Sequence, residues 1–204
     1  MRNSSSPTSL RLAFLAAVGF AACRAPAAQT SDFAAWQYTA DVEVTDAPYD
    51  DVHANWKERL AQPYVFREHR GSYTETGRLL PGLHADSVRA GLTISGPPFA
   101  LFYDDPGLVG SAELRSRVCL PVATLPDAQD MQADVLPAAT VAYAVVRGPY
   151  PDAPRAYRGI LAYMQRFGWV EGGPIREVYL VSPASVATYD ALLCEIQIPV
   201  RAGQ

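Results

Sequence analysis

Lysine is nearly missing from this chain: Lys57 is the sole example in 204 residues, and arginine carries almost all of the remaining basic charge. With 17 basic and 21 acidic residues interspersed, the formal net charge is −4. No basic stripe or tail is present, so nucleic acid is not an expected partner. Histidine is scarce too. His53, His69 and His84 show neither HxH nor HExxH spacing and have no paired cysteines nearby, so no metal site is expected. A serine-nucleophile elbow and a phosphate loop are both lacking, and no cofactor is implied.

The apolar stretch Leu12–Ala22, preceded by Arg2 and Arg11, is shorter than the roughly 20 residues that cross a bilayer. It reads as the core of a signal peptide over residues 1–22. The stretch closes on Phe20-Ala21-Ala22-Cys23, which resembles a bacterial lipobox with Phe20 in place of the usual aliphatic residue. Cys23 is then the lipidation site, and the chain is expected in the bacterial cell envelope as a periplasm-facing lipoprotein held to the membrane by its N-terminus. Cleavage after Ala25-Pro26-Ala27 is the competing reading and gives a soluble secreted protein; an uncleaved anchor is a third. Two further cysteines, Cys119 and Cys194, either pair in an oxidising compartment or stay reduced as small apolar residues.

Residues 23–60 read as a tether rich in Ala, Thr and Asp, with an alternating strand at Tyr38–Val44 and a short helix over Asp51–Leu60. From residue 61 to 204 the chain repeats itself. Arg70-Gly71-Ser72-Tyr73 recurs 77 residues on as Arg147-Gly148-Pro149-Tyr150, Gly91 falls on Gly168, and Gly96-Pro97 falls on Gly173-Pro174. Phe102 lands on Tyr179. Near the end the offset becomes 78, setting Val118–Val122 on Ile196–Val200. Punctuation at one constant offset marks an internal repeat.

Module one runs over about 63–123 and module two over about 136–201. Each reads as strand, glycine turn, helix, strand, strand. The strands are Tyr64–His69, Phe99–Tyr103 and Leu114–Val122, then Thr140–Arg147, Ile175–Val181 and Ala191–Val200. The helices are Glu75–Ala90 and Asp152–Phe167, each stopped by its glycine. Tyr157, Ile160, Leu161, Met164 and Phe167 form an apolar stripe that reads as core. The fold class is α+β, a tandem β-α-β-β duplication around a pseudo-twofold axis with a cleft between the copies.

Three segments carry a family resemblance: Arg147-Gly148-Pro149-Tyr150, Gly173–Leu180 (Gly-Pro-Ile-Arg-Glu-Val-Tyr-Leu) and Glu195–Val200 (Glu-Ile-Gln-Ile-Pro-Val). They resemble the motifs of GyrI-like domains, a group that includes gyrase-inhibitor proteins, effector domains of AraC- and MerR-type regulators and, more remotely, SOUL haem-binding proteins. The resemblance implies two β-α-β-β modules enclosing a cleft for bulky, flat or cationic organic molecules. It also implies a buried glutamate of the final strand as the cation-recognising group, Glu195 by position. In module one, Tyr103-Asp104-Asp105-Pro106 followed by an Arg115–Cys119 strand is similar to membrane-tethered eukaryotic members. With the export signal and no DNA-binding domain ahead of the repeat, transcription control is not expected.

Strand alternation sets Ile196, Ile198 and Val200 against the helices and turns Glu195 and Gln197 the other way. By the offset, Arg117 is the counterpart of Glu195. The pair either shapes a cleft for a polar, neutral or mixed-charge ligand or forms a salt bridge between modules. Phe102, Tyr179 and Glu177 are expected in the cleft wall, with Tyr73 and Tyr150 at its rim or in a structural role. Three functions remain open: a binding protein for a small organic molecule, a hydrolase of strained electrophiles using Glu195 with Tyr179 or Tyr150, and an interaction scaffold with a filled cleft.

Overall fold

A computed structural model describes residues 40–126 and 131–203. The signal segment and Cys23 lie outside the described residues, as do Tyr38 and Thr39 of the expected N-terminal strand; residues 40–44 form no strand. One ten-stranded sheet runs through the domain. In chain order its strands are β1 (Thr45–Asp46), β2 (Asn55–Arg59), β3 (Gln62–Arg70), β4 (Phe99–Phe102), β5 (Arg115–Pro121), β6 (Ala133–Leu136), β7 (Ala139–Arg147), β8 (Trp169–Glu171), β9 (Ile175–Tyr179) and β10 (Leu193–Ala202). They lie in the order β1-β7-β10-β9-β4-β5-β3-β6, with β2 also beside β7 and β8 beside β10. Two helices, α1 (Leu80–Arg89) and α2 (Tyr157–Gln165), cover one face.

The register carries the offset read from the sequence. At the central seam Phe99 pairs with Val178, Ala100 with Glu177, Leu101 with Arg176 and Phe102 with Ile175. Exchanging each residue for its counterpart 77 positions away maps the first pair onto the third and leaves Ala100–Glu177 on itself. The flanking pairs agree: Tyr64 opposite Pro121 in module one matches Val141 opposite Pro199 in module two. An approximate twofold axis therefore passes through the Ala100–Glu177 pair.

Glycine makes both module turns possible. Gly71 and Gly148 sit at φ +133° and +143°, and Gly91 and Gly168 follow the helices at +69° and +64°. At Gly148 a Cβ would also strike the hydroxyl of Tyr49, which donates to the Arg147 carbonyl at 3.0 Å. Gly71 has only the His69 ring edge nearby. Gly148→Ala is accordingly expected to cost about 2–3 kcal/mol and Gly71→Ala about 1 kcal/mol, read from urea midpoints at constant slope.

Several expectations need correction. The first half of each expected helix is a 3-10 segment, Tyr73–Leu79 and Tyr150–Ala156. In the second of these Pro151 and Pro154 remove the amide donors that an α-turn needs. Asp51–Leu60 is no helix: Asn55–Arg59 pairs antiparallel with Ala139–Tyr143 and so extends the sheet, because an open edge of β7 outweighs weak local preference. The tether thus ends earlier than residue 60. Three short strands, β1, β6 and β8, are not legible in the sequence. Cys119 and Cys194 are both free and buried, and belong to clusters on opposite faces of the sheet.

Both faces of the sheet are buried. On the helix side, α2 packs Ile160 and Met164 on Ala142, Ala144, Ile196 and Ile198, while α1 sets Leu83 on Val65, Val118 and Leu120. On the other side Tyr64, Phe66, Phe99, Leu101, Val145 and Val178 form one cluster, joined by Val42 and Val44. Val145 lies five strands away from Tyr64 and Phe66 along the sheet, so the sheet curls until its second face closes on itself.

Candidate functional site

A cleft of about 810 Å³ opens on the helix side of the central seam, within the size range of drug-like ligand pockets. Each module supplies one wall, residue for residue. Tyr73, Leu80, His84 and Phe102 face Tyr150, Tyr157, Leu161 and Tyr179, and every pair is separated by 77. The Tyr73 and Phe102 rings stand 4.7 Å apart, and those of Tyr150 and Tyr179 stand 4.6 Å apart. Both turn tyrosines also tie down the loop after the second strand. The Tyr73 hydroxyl donates to the Asp104 carbonyl and accepts from its amide, each at 2.9 Å; Tyr150 treats Val181 in the same way. The rim and structural roles expected of these tyrosines coincide.

The floor is where the symmetry breaks. Glu177 stands opposite Ala100, is 3% exposed, and lines the cleft. Its carboxylate accepts from the Tyr157 hydroxyl at 2.7 Å and the Tyr179 hydroxyl at 3.3 Å. Burial pushes its pKa up to about 7, against the pull of those two hydrogen bonds. Burial and the Glu177 charge together push the Tyr157 and Tyr179 phenols well above their ordinary range. Among the described residues no lysine or arginine lines the cleft.

Glu195, Gln197 and Arg117 are not there. They project from the opposite face, so the expectation that the polar side of β10 lines the cleft is overturned; that argument assumed one buried face, and this sheet has two. Glu195 meets the Lys57 ammonium at 2.9 Å and accepts from the Gln197 amide at 2.6 Å. The Gln197 carbonyl accepts from Arg176 at 3.3 Å. Arg117 instead pairs with Glu68 (2.8 Å) and Asp134 (3.2 Å) and lies over the Phe66 ring. Two strands, β9 and β4, separate its strand from that of Glu195. The supposed Arg117–Glu195 pair therefore falls, together with the mixed-charge ligand inferred from it.

Phe102, Tyr179, Glu177, Tyr73 and Tyr150 all line this cleft. Leu80, His84, Tyr157 and Leu161 were missed as cleft residues, although their 77-residue spacing and i, i+4 placement on the two helices were available signals. The helical stripe divides: Ile160 and Met164 are core, Tyr157 and Leu161 line the cleft, and Phe167 is exposed.

The sequence matches the family model described as GyrI-like small molecule binding domain over residues 55–201. The chain belongs to that family. No curated protein sequence matches it. Among solved structures, this GyrI-like domain is similar to the C-terminal domain of EcmrR, with 20% identity over 74% of this chain and 98% of that one and a TM-score of 0.66. It spans only 57% of EcmrR as seen in a DNA complex. A hydrolase from Listeria innocua aligns over 78% of this chain and 100% of its own, at 11% identity and a TM-score of 0.53. The protein SAV2435, solved bound to tetraphenylphosphonium, aligns over 73% and 94%, at 12% identity and a TM-score of 0.52. At these identities the likeness is one of fold.

Proposed function

We propose that this GyrI-like domain is a binding protein whose cleft captures a bulky aromatic organic cation, with Glu177 as its counter-charge. The observation that carries the reading is a single buried carboxylate beside the approximate twofold axis, ringed by aromatic faces, with no lysine or arginine among the described residues that line the cleft. Aromatic faces attract cations through their quadrupoles, and a carboxylate in a low-dielectric site does so by charge. The tetraphenylphosphonium bound to SAV2435 is a molecule of this kind. The module-one half offers Leu80 and Phe102 where module two offers Tyr157 and Tyr179, so the uncharged end of an unsymmetrical ligand belongs over module one. The N-terminal arginines, apolar run and Cys23 support export and a lipid anchor that presents the cleft to the periplasm. The acidic balance supports a role without nucleic acid.

The test is calorimetric titration with tetraphenylphosphonium across pH. Cation binding needs the ionised carboxylate, so affinity should rise through pH 7, by roughly tenfold between pH 6 and pH 8. A flat profile, or no binding, removes Glu177 as the counter-charge.

A hydrolytic reading is favoured by one observation: a carboxyl titrating near neutrality, beside two phenols, suits general-base activation of water. The role once assigned to Glu195 passes to Glu177 in that reading. Turnover of an epoxide by the wild-type chain, lost in Glu177→Gln, would establish it; an inert wild type leaves the binding reading alone.

A further inference from the structure

On the edge of the domain away from the cleft seam, four aromatic rings form a continuous surface ladder. Trp56 of β2 meets Trp169 of β8 edge-on at 6.5 Å; Trp169 stacks on Phe167 at 4.8 Å, and Phe167 touches Tyr163 of α2 at 5.1 Å. Trp56 is 48% exposed and Phe167 52%, with Val170 beside them at 39%. Isolated exposed apolar residues need no explanation, but a contiguous set built on three elements does. Neither the cleft nor either core uses the outer surfaces of Trp56 and Phe167.

We infer that this ladder is a membrane-interface contact that seats the domain against the headgroup region of the bilayer. Three observations select this occupant. Tryptophan and tyrosine, with one apolar side and one polar edge, suit the headgroup boundary. The ladder is rimmed by Arg166, next in sequence to Phe167, and by Arg201, opposite Val170. Both are exposed, and Arg201 spends its Nε on the Glu171 backbone carbonyl, so neither is neutralised by a carboxylate among the described residues. Glu171, the acid of β8, belongs to the rim of the cleft. Two arginines beside exposed aromatics complement anionic phospholipid.

The entry point of the chain is the third. Asp41 lies 3.4 Å from the Lys57 ammonium, so the N-terminal segment meets the domain at the strand that begins the ladder, on the face opposite to Trp56. A stretch as long as Cys23 to Ala40 spans ~60 Å at most, which leaves this edge within reach of a bilayer holding Cys23. The inference relies on the lipid anchor proposed above only for the choice of membrane.

The test uses the full-length chain with phosphatidylcholine–phosphatidylglycerol vesicles that carry a nitroxide at the phospholipid headgroup. Two variants each keep a single ladder tryptophan: Trp36→Phe with Trp169→Phe, and Trp36→Phe with Trp56→Phe. In both, nitroxide should lower tryptophan emission roughly twofold, and less so in pure phosphatidylcholine. Emission untouched by nitroxide overturns the inference, whether or not the chain floats with the vesicles. Self-association in solution that Phe167→Ser abolishes would also overturn it, by assigning the ladder to a second copy. Flotation of wild type against Cys23→Ser reports on the anchor separately, so loss of the anchor and loss of the ladder contact are distinguishable.

Discussion

Replacing Glu177 by glutamine is expected to weaken tetraphenylphosphonium binding by roughly 30-fold or more at pH 8, while leaving the fold intact. Glutamine has the same shape and can still accept from one of the two phenols, so the cleft walls keep their geometry. What is lost is the negative charge buried in the cleft floor. At pH 5.5 the wild-type carboxyl is mostly protonated, and the two proteins should bind the cation within a few-fold of each other. Calorimetry at both pH values separates this from a general loss of packing, which would weaken binding equally at each.

The same substitution has a stability signature. In the folded chain Glu177 holds its proton up to about pH 7, against an ordinary value of 4.5. Between those values the native state binds a proton that the unfolded state has released. Stability is therefore fullest at low pH and falls as pH rises through this window. The ligand-free wild type should lose stability from pH 5 to pH 8 relative to Glu177→Gln, and a bound cation should restore it. Thermal unfolding of both proteins across pH, with and without ligand, measures the difference.

The second large effect lies on the far face. Lys57→Met is expected to cost about 3 kcal/mol, or roughly 6–12 °C in Tm, because Glu195 is buried and would lose its ammonium. Lys57 itself is partly exposed, so the cost falls short of that for a fully buried pair. The double variant Lys57→Met with Glu195→Leu should recover most of the loss, since apolar side chains suit the cluster that already holds Val145 and Val178. Cation binding in the cleft should be unchanged in both, as neither residue lines it. If Lys57→Met impaired binding as strongly as Glu177→Gln, the division of labour between the two faces would be wrong.

That division was the part least legible in the sequence. Glycine punctuation and the 77-residue offset located the six main strands, both helical regions and most of the aromatic wall. Turns and repeats are local, and each is marked by a residue with little conformational alternative. The face on which the cleft opens is not local. Glu195 and Glu177 are both glutamates in alternating strands, and alternation says only that each opposes its neighbours. In a curled sheet both sides are buried, so a polar side chain turned away from the helices does not thereby reach a cavity. β2 is illegible for the related reason that its pairing with β7 joins residues at least eighty positions apart.

The position of Glu177 has a consequence for how ligands are oriented. Its strand position lies beside the axis, but its carboxylate is held by the Tyr157 and Tyr179 hydroxyls of module two, so the two poses that the axis relates for a cation with similar arms are unequal in energy. A charge drawn to one wall favours one of the two poses over the other. The unmatched pairs, Leu80 with Tyr157, His84 with Leu161 and Phe102 with Tyr179, add to that bias. Helices and strands thus share in deciding how a cation is turned, while the carboxylate decides that something positive is held.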